Sequence, residues 1–244
     1  MKFESTNSRY EALLKNIQNF FDGSKESIHK ARNEIKIIRF ENEEFAVKSF
    51  KIPNLINKIV YTFFKPSKAK KSYENSVKIG DFVPKPTGYI EFERFGLIGE
   101  SYFISENFKY DFTIREPLLD KDFLQREAVF KAFAEFTFKL HEEGIFHLDY
   151  SPGNILIKKE HKSYIFKIVD INRMKFRPLS LNERLRNFSK LWAKDDDLKF
   201  IIKEYCKLMN CDEESSITIA LKYSQSHKDT KNAKKRLKGK KVVD

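Results

Sequence analysis

The sequence is sparing with the residues that staple chains or cradle phosphates. Its two cysteines, Cys206 and Cys211, lie five apart with no histidine nearby. That spacing excludes a disulfide framework and a zinc-ligand pattern, and two reduced, packed thiols are expected. None of the eight glycines falls into Gly-x-Gly-x-x-Gly, which excludes a phosphate loop of that kind. No apolar run approaches the roughly 18 residues that span a bilayer. The opening Met1-Lys2-Phe3-Glu4-Ser5 lacks the apolar core of a signal peptide. The expected setting is therefore cytoplasmic, with contact against a membrane face open. What the chain does have is 24 phenylalanines and 41% hydrophobic residues among 244, enough for a real core in one large domain or two smaller lobes. Its formal charge of +12 implies an anionic partner, whether nucleotide, phosphorylated sugar, membrane surface or nucleic acid. Charge alone does not choose among these.

Apolar periodicity divides the chain. Ser8-Arg9-Tyr10-Glu11 has the form of a capping box and opens a helical pattern that ends at Asp22-Gly23. From Ile28 to Phe50 the period falls to two, as in antiparallel strands, with Lys48 in the run Ala46-Val47-Lys48. Pro66 to Gly80 reads as a helix that carries Glu74. A hairpin then runs from Gly88 to Glu106, turning at Gly96 to Gly99. A long helix is expected over 120–142, stopped by Gly144, and a second hairpin surrounds Glu160. The stretch from about Leu181 to Ser226 is mostly helical in pattern. Residues 227–244 are so rich in lysine that a solvated, disordered tail is expected there.

The chemistry centres on Phe146-His147-Leu148-Asp149-Tyr150-Ser151-Pro152-Gly153-Asn154. His-x-Asp, four intervening residues and Asn, followed by an apolar strand, is the order of a phosphoryl-transfer catalytic loop. Asp149 can orient and deprotonate an acceptor hydroxyl, and Asn154 can hold Mg²⁺. His147 braces the loop. Asp170 ends the next apolar strand 21 residues later, where a second Mg²⁺ ligand is needed. Lys48 on its strand suits the phosphates of ATP, and Glu74 is the candidate carboxylate that steadies it. Glu106 ends the hairpin where a kinase hinge reads adenine, and is assigned to the nucleotide. The ordered set implies an α+β, protein-kinase-like two-lobed fold. The expected parts are an antiparallel β-rich N-lobe over 1–106, a mostly helical C-lobe over 107–226 with the catalytic loop, and the basic tail. Basic side chains of the loop His29-Lys30-Ala31-Arg32-Asn33 are candidates to cover the phosphates in place of glycines.

His147 to Asn154, Val169-Asp170-Ile171-Asn172-Arg173-Met174, Val47-Lys48-Ser49-Phe50 and Ser72-Tyr73-Glu74-Asn75 resemble the bacterial lipopolysaccharide core kinases. These are protein-kinase-like enzymes that phosphorylate Kdo or heptose of the inner core. The resemblance runs from about Ile28 to Tyr205. It implies ATP- and Mg²⁺-dependent transfer to a sugar hydroxyl of a lipid-linked acceptor at the cytoplasmic face of the inner membrane. Two alternatives differ in class. An atypical protein Ser/Thr kinase is disfavoured because no Ala-Pro-Glu and no long activation segment follow Asp170. A noncatalytic kinase-like module holding RNA or membrane is disfavoured by the retention of Lys48, Glu74, Asp149, Asn154 and Asp170, for which it would have no use, and nucleic acid is the least favoured partner.

Overall fold

The computed structural model describes residues 1–25, 27–30, 33–161 and 163–239, with only the backbone at residues 29 and 30. Ala31 and Arg32 of the basic loop, and Lys240 and Lys241 of the basic tail, lie outside the described residues. The chain forms two compact units. The first comprises Met1–Lys109 with Asp170–Asn172, and the second Tyr110–Val169 with Arg173–Asp244. The first unit thus runs three residues past Glu106, and the segment Asp170–Asn172 clusters with it although the chain on either side of that segment belongs to the second.

The first unit contains β1 (Lys2–Ser5), α1 (Glu11–Lys15), α2 (Ile17–Gly23), β2 (Ser27–Lys30), β3 (Glu34–Phe40) and β4 (Glu43–Phe50). It continues with α3 (Leu55–Phe63), α4 (Lys68–Ile79), β5 (Pro86–Arg94) and β6 (Leu97–Glu106). Its six strands pair antiparallel in the order β1-β5-β6-β4-β3-β2. Alternation along β4 sends Phe45 and Val47 to one face, where they pack with Leu13, Leu14, Ile17 and Phe21 of α1 and α2. Phe50 joins the opposite cluster with Ala69, Tyr73 and Tyr89 beneath α4. Gly88 is required where β1 crosses β5, because a Cβ there would lie 2.5 Å from the Glu4 carbonyl oxygen.

Several local expectations shift. The first helical turn is capped by Asn7, whose side chain accepts from the Arg9 amide at 3.0 Å, rather than by Ser8. The β5–β6 turn falls on Phe95 and Gly96, both at positive φ, one step earlier than expected. Helix α3 stands where no helix was anticipated, capped by Asn54, which accepts from the Asn57 amide at 3.0 Å.

The second unit comprises β7 (Phe112–Thr113), α5 (Arg115–Leu119), α6 (Arg126–Glu142), β8 (Ile145–His147), β9 (Ile155–Glu160) and β10 (Ser163–Ile168). It ends with β11 (Met174–Phe176), α7 (Leu181–Asn187), α8 (Asp195–Met209) and α9 (Glu213–Arg236). Strands β10-β9-β7 make one small sheet and β8-β11 a pair. Helix α6 buries Val129, Phe130, Phe133, Ala134, Thr137, Leu140 and His141. It stops at Gly144, whose φ of +66 and closeness to the Arg177 carbonyl leave no room for a Cβ. The start of the expected tail is helical. Ser216, Ala220, Ser224 and Asn232 recur at multiples of four and bury one side of α9. Lys228 donates to the Ala193 carbonyl at 2.9 Å, and the Lys235 ammonium lies 5.3 Å from the Trp192 ring centre. Both cysteines are free, and burial pushes the Cys206 thiol up to about 12.

Candidate functional site

Within the first unit, β4 places Lys48 opposite Ile35 on one side and Phe103 on the other. Its Nζ donates to Asp170 Oδ1 at 2.7 Å, with the lysine side chain 14% exposed. Asn172 Nδ2 donates to the same oxygen at 3.1 Å. Asp170 is held at φ +58, a left-handed conformation that Asp tolerates better than most residues. Asn75 of α4 donates to the Ile171 carbonyl at 2.6 Å and is buried. Helix α4 therefore does grip the segment that carries the carboxylate, but through an amide.

Glu74 is not the partner of Lys48. Its side chain is 47% exposed and pairs with Lys70, one turn earlier on α4, at 3.8 Å. The register explains the difference: Tyr73 and Ser76 are buried on one side of Glu74, which leaves its side chain on the exposed side of the helix. Glu106 also departs from expectation. Its amide donates to the Lys85 carbonyl and its side chain accepts from the Lys85 amide, both at 2.9 Å. Its carbonyl accepts from the Phe108 amide and the Ser105 hydroxyl. These groups hold the strand end together and leave Glu106 no free main-chain hydrogen-bonding group for a base.

Within the second unit the loop after β8 is braced from below. The Asp149 amide donates to His147 Nδ1 at 2.9 Å, so Nδ1 carries no proton and Nε2–H donates to the Val169 carbonyl at 3.0 Å. Asn154 Nδ2 donates to the Asp149 carbonyl at 2.9 Å, which leaves its Oδ1 as a free oxygen donor. Tyr150 is fully buried, and its hydroxyl donates to Thr137 Oγ1, whose own proton goes to the Phe133 carbonyl. Burial raises the Tyr150 pKa. Asp149, between these anchors, remains exposed.

A second brace was not foreseen. Asn187 Nδ2 donates to the His147 carbonyl at 2.9 Å, and Asn187 Oδ1 accepts from His141 Nε2 at 3.1 Å. An amide oxygen only accepts, so His141 is protonated at Nε2 and its Nδ1 accepts from Tyr205 at 2.9 Å. Burial lowers the His141 pKa to about 4, so the ring stays neutral, and burial pushes Tyr205 up to about 12. The chain Tyr205–His141–Asn187 ties α6, α7 and α8 to the loop.

Among the described residues no three His, Cys, Asp or Glu side chains group as a metal site. A hard divalent cation needs only oxygen donors and keeps several waters. Asp170, with one oxygen engaged by Lys48 and Asn172, and Asn154, with Oδ1 free, have that donor chemistry.

The fold has a counterpart among solved structures. The chain matches WaaP in complex with acyl carrier protein with a TM-score of 0.59, covering 93% of this chain and 99% of that one at 12% identity. The fold is protein-kinase-like. Its β-rich first unit and largely helical second unit are the α+β composition that the sequence implied. No family model and no curated protein matches the chain.

Proposed function

We propose that the chain is a kinase of the lipopolysaccharide core type, transferring the γ-phosphoryl group of ATP to a sugar hydroxyl, Kdo or heptose, of a lipid-linked acceptor. The observation that carries this reading is the Lys48–Asp170 pair at 2.7 Å, formed between positions 122 apart in a fold of the kinase kind. A lysine on a strand held by the carboxylate after a later strand is a ready nucleotide-phosphate site. Lys48 neutralises and orients the phosphates, and Asp170 of the first unit and Asn154 of the second would each offer an oxygen donor to Mg²⁺. When bound, the ion would offset the charge on the transferring group. Asp149 accepts the proton of the attacking hydroxyl, while His147, Tyr150 and Asn187 fix its main chain so that the carboxylate is positioned before substrate arrives. Glu74 and Glu106 are left outside the machinery because the ion pair of the one and the hydrogen bonds of the other lie elsewhere.

A lipid-linked acceptor calls for contact with a membrane, and no helix among the described residues is long and apolar enough to cross one. Helix α3 supports a peripheral mode, with Leu55, Ile56, Ile59 and Phe63 exposed along one stripe. The deciding experiment is ATP-dependent phosphate incorporation into Kdo-containing lipid A precursors by the full chain and by Asp149→Ala, with general protein substrates in parallel. Incorporation into the precursor, reduced roughly 10²–10⁴-fold by Asp149→Ala, is expected. Transfer to proteins alone restores the protein-kinase alternative. Salt-sensitive RNA binding without Mg-ATP binding restores the noncatalytic one.

A further inference from the structure

Cations gather around the catalytic loop in the second unit with no carboxylate ion-paired to them among the described residues. The Arg173 carbonyl accepts from the Leu148 amide at 3.0 Å, which puts Arg173 beside the loop. Asn187 holds the loop's His147 carbonyl, and three residues later Lys190 lies 3.3 Å from His227 Nδ1 of α9. Lys190 is half-buried and stands in the fields of Lys231, Arg186 and Arg173, which the charge of Asp149 opposes. His227 feels Lys190, Lys231 and Asp149 as well. Desolvation and these like charges depress the Lys190 pKa and lower that of His227 to about 4, so the histidine is neutral at pH 7 and free to accept from the lysine. Folding alone gains nothing from such repulsion. An anion placed among these groups would relieve it.

We infer that Lys190, Lys231 and Arg173, with His227, form a site for an anionic substituent of the acceptor, a carboxylate or phosphate carried on the same sugar as the hydroxyl that Asp149 activates. The inference rests on the phosphoryl-transfer reading for the identity of the ligand as acceptor, while the anion site itself rests on the cluster. Charge near Asp149 then selects acidic or phosphorylated sugars over neutral ones, because a neutral sugar leaves the clustered cations unpaired. Lysine and arginine donate to either kind of anion, so the geometry fixes the sign of the substituent and leaves its chemistry to measurement.

The sole tryptophan of the chain reports on this place, since the Trp192 ring lies 5.9 Å from that of His227. Trp192 fluorescence of the full chain is to be titrated with inorganic phosphate, with free Kdo and with a neutral heptose, each with and without a non-hydrolysable Mg-ATP analogue. A saturable response to an anion but not to the neutral sugar is expected, additive with the nucleotide analogue. It weakens roughly tenfold or more in Lys190→Gln and Lys231→Gln and is largely restored in Lys190→Arg. Saturation by phosphate alone assigns a phosphorylated acceptor, and saturation by Kdo alone assigns the carboxylate. In turnover, the same glutamine variants raise the acceptor KM roughly tenfold, more than they lower kcat. Equal response to the neutral sugar, anion affinity unchanged in the variants, or competition between the anion and the nucleotide analogue overturns the site. Absence of Mg-ATP binding and of transfer, with anion binding still lost in the variants, removes the kinase reading and leaves the anion site standing.

Discussion

Lys48 donates to Asp170 at 2.7 Å, whereas the helix carboxylate expected to hold it, Glu74, faces Lys70. Removing either member of the Lys48–Asp170 pair leaves the other charge without its partner at a site 14% and 34% exposed. Lys48→Met and Asp170→Asn are therefore expected to abolish the nucleotide-dependent thermal shift and to lower kcat/KM by roughly 10²–10³-fold, the scale of losing one preorganised electrostatic contact or more. Thermal shift with and without Mg-ATP, alongside turnover, checks this. An Asp170→Asn protein with unaltered Mg²⁺ dependence would remove the carboxylate from the metal.

The neighbouring positions Glu74 and Asn75 separate the two accounts of α4. Glu74→Gln alters an exposed i,i+4 pair and is expected to change stability by about 0.5 kcal/mol or less. Asn75→Ala strips the Ile171 carbonyl of its buried donor, at a cost of about 1–3 kcal/mol, and frees the Asp170–Asn172 segment. Denaturant unfolding and kcat/KM of the two variants give the comparison. A loss of activity in Glu74→Gln as deep as in Lys48→Met would return the carboxylate to the mechanism.

Why Lys48 and Asp170 stood out in the sequence while the roles of Glu74 and Asn75 did not is a matter of range. The strand lysine, the His-x-Asp loop and the strand-ending Asp170 announce themselves because each combines a reactive residue with the local pattern that fixes its element. Partner choice is not local. Whether Glu74 or Asn75 points inward depends on a rotation of α4 about its axis, and Lys68, Lys70, Lys71 and Lys78 blur the apolar stripe that would set it. Glu106 was placed correctly at a strand end, but its hydrogen bonds to Lys85 depend on pairing with β5. Helix α3 escaped notice although its apolar residues recur at helical spacing, because that stripe is turned outward and belongs to no core, while Lys58 and Thr62 are among the half-buried side chains. The start of the basic tail looked structureless for the opposite reason: its small buried residues, Ala220 and Ser224, carry almost no hydrophobic signal. His141 and Asn187, separated by 46 positions, meet only once α6 and α7 pack.

His141 gives stability a pH dependence of known sign. Its folded pKa of about 4 lies below the unfolded value of 6.5, so between those values the unfolded chain binds a proton that the native chain refuses. Stability contributed by the neutral ring is fully present above about pH 6.5 and is lost as pH falls towards 4, by up to about 3 kcal/mol. His227, also lowered to about 4, acts in the same direction but is partly solvated and adds less. Denaturant unfolding from pH 7.5 to 4.5 should show this slope, and His141→Gln should flatten it while reducing stability at neutral pH. A wild-type profile that is flat across the window would mean that the ring is charged in the native state.

Helix α3 presents the opposite of a buried stripe, with Leu55 at 66%, Ile56 at 74% and Phe63 at 66% exposed. The face towards the sheet is secured where Thr62 Oγ1 accepts from the Ile98 amide at 3.0 Å. Phe64 extends the apolar patch, and from Lys51 to Tyr73 the chain carries six lysines and no acidic residue. Apolar side chains projecting from a convex helix amid cations match the interface of an anionic bilayer, where acyl chains take the apolar groups and headgroups the lysines. Vesicles of phosphatidylglycerol and phosphatidylethanolamine should therefore sediment the full chain, and neutral phosphatidylcholine vesicles should not. The double substitution Ile56→Ser/Phe63→Ser should weaken binding at least tenfold, since burying each side chain is worth about 1.5–3 kcal/mol. Because both residues are solvent-facing, the variant should unfold at the same denaturant concentration as the parent. Vesicle binding that survives this variant unchanged would move the contact away from α3. A dimer in light scattering that dissociates in the variant would identify a second copy of the chain as the true cover.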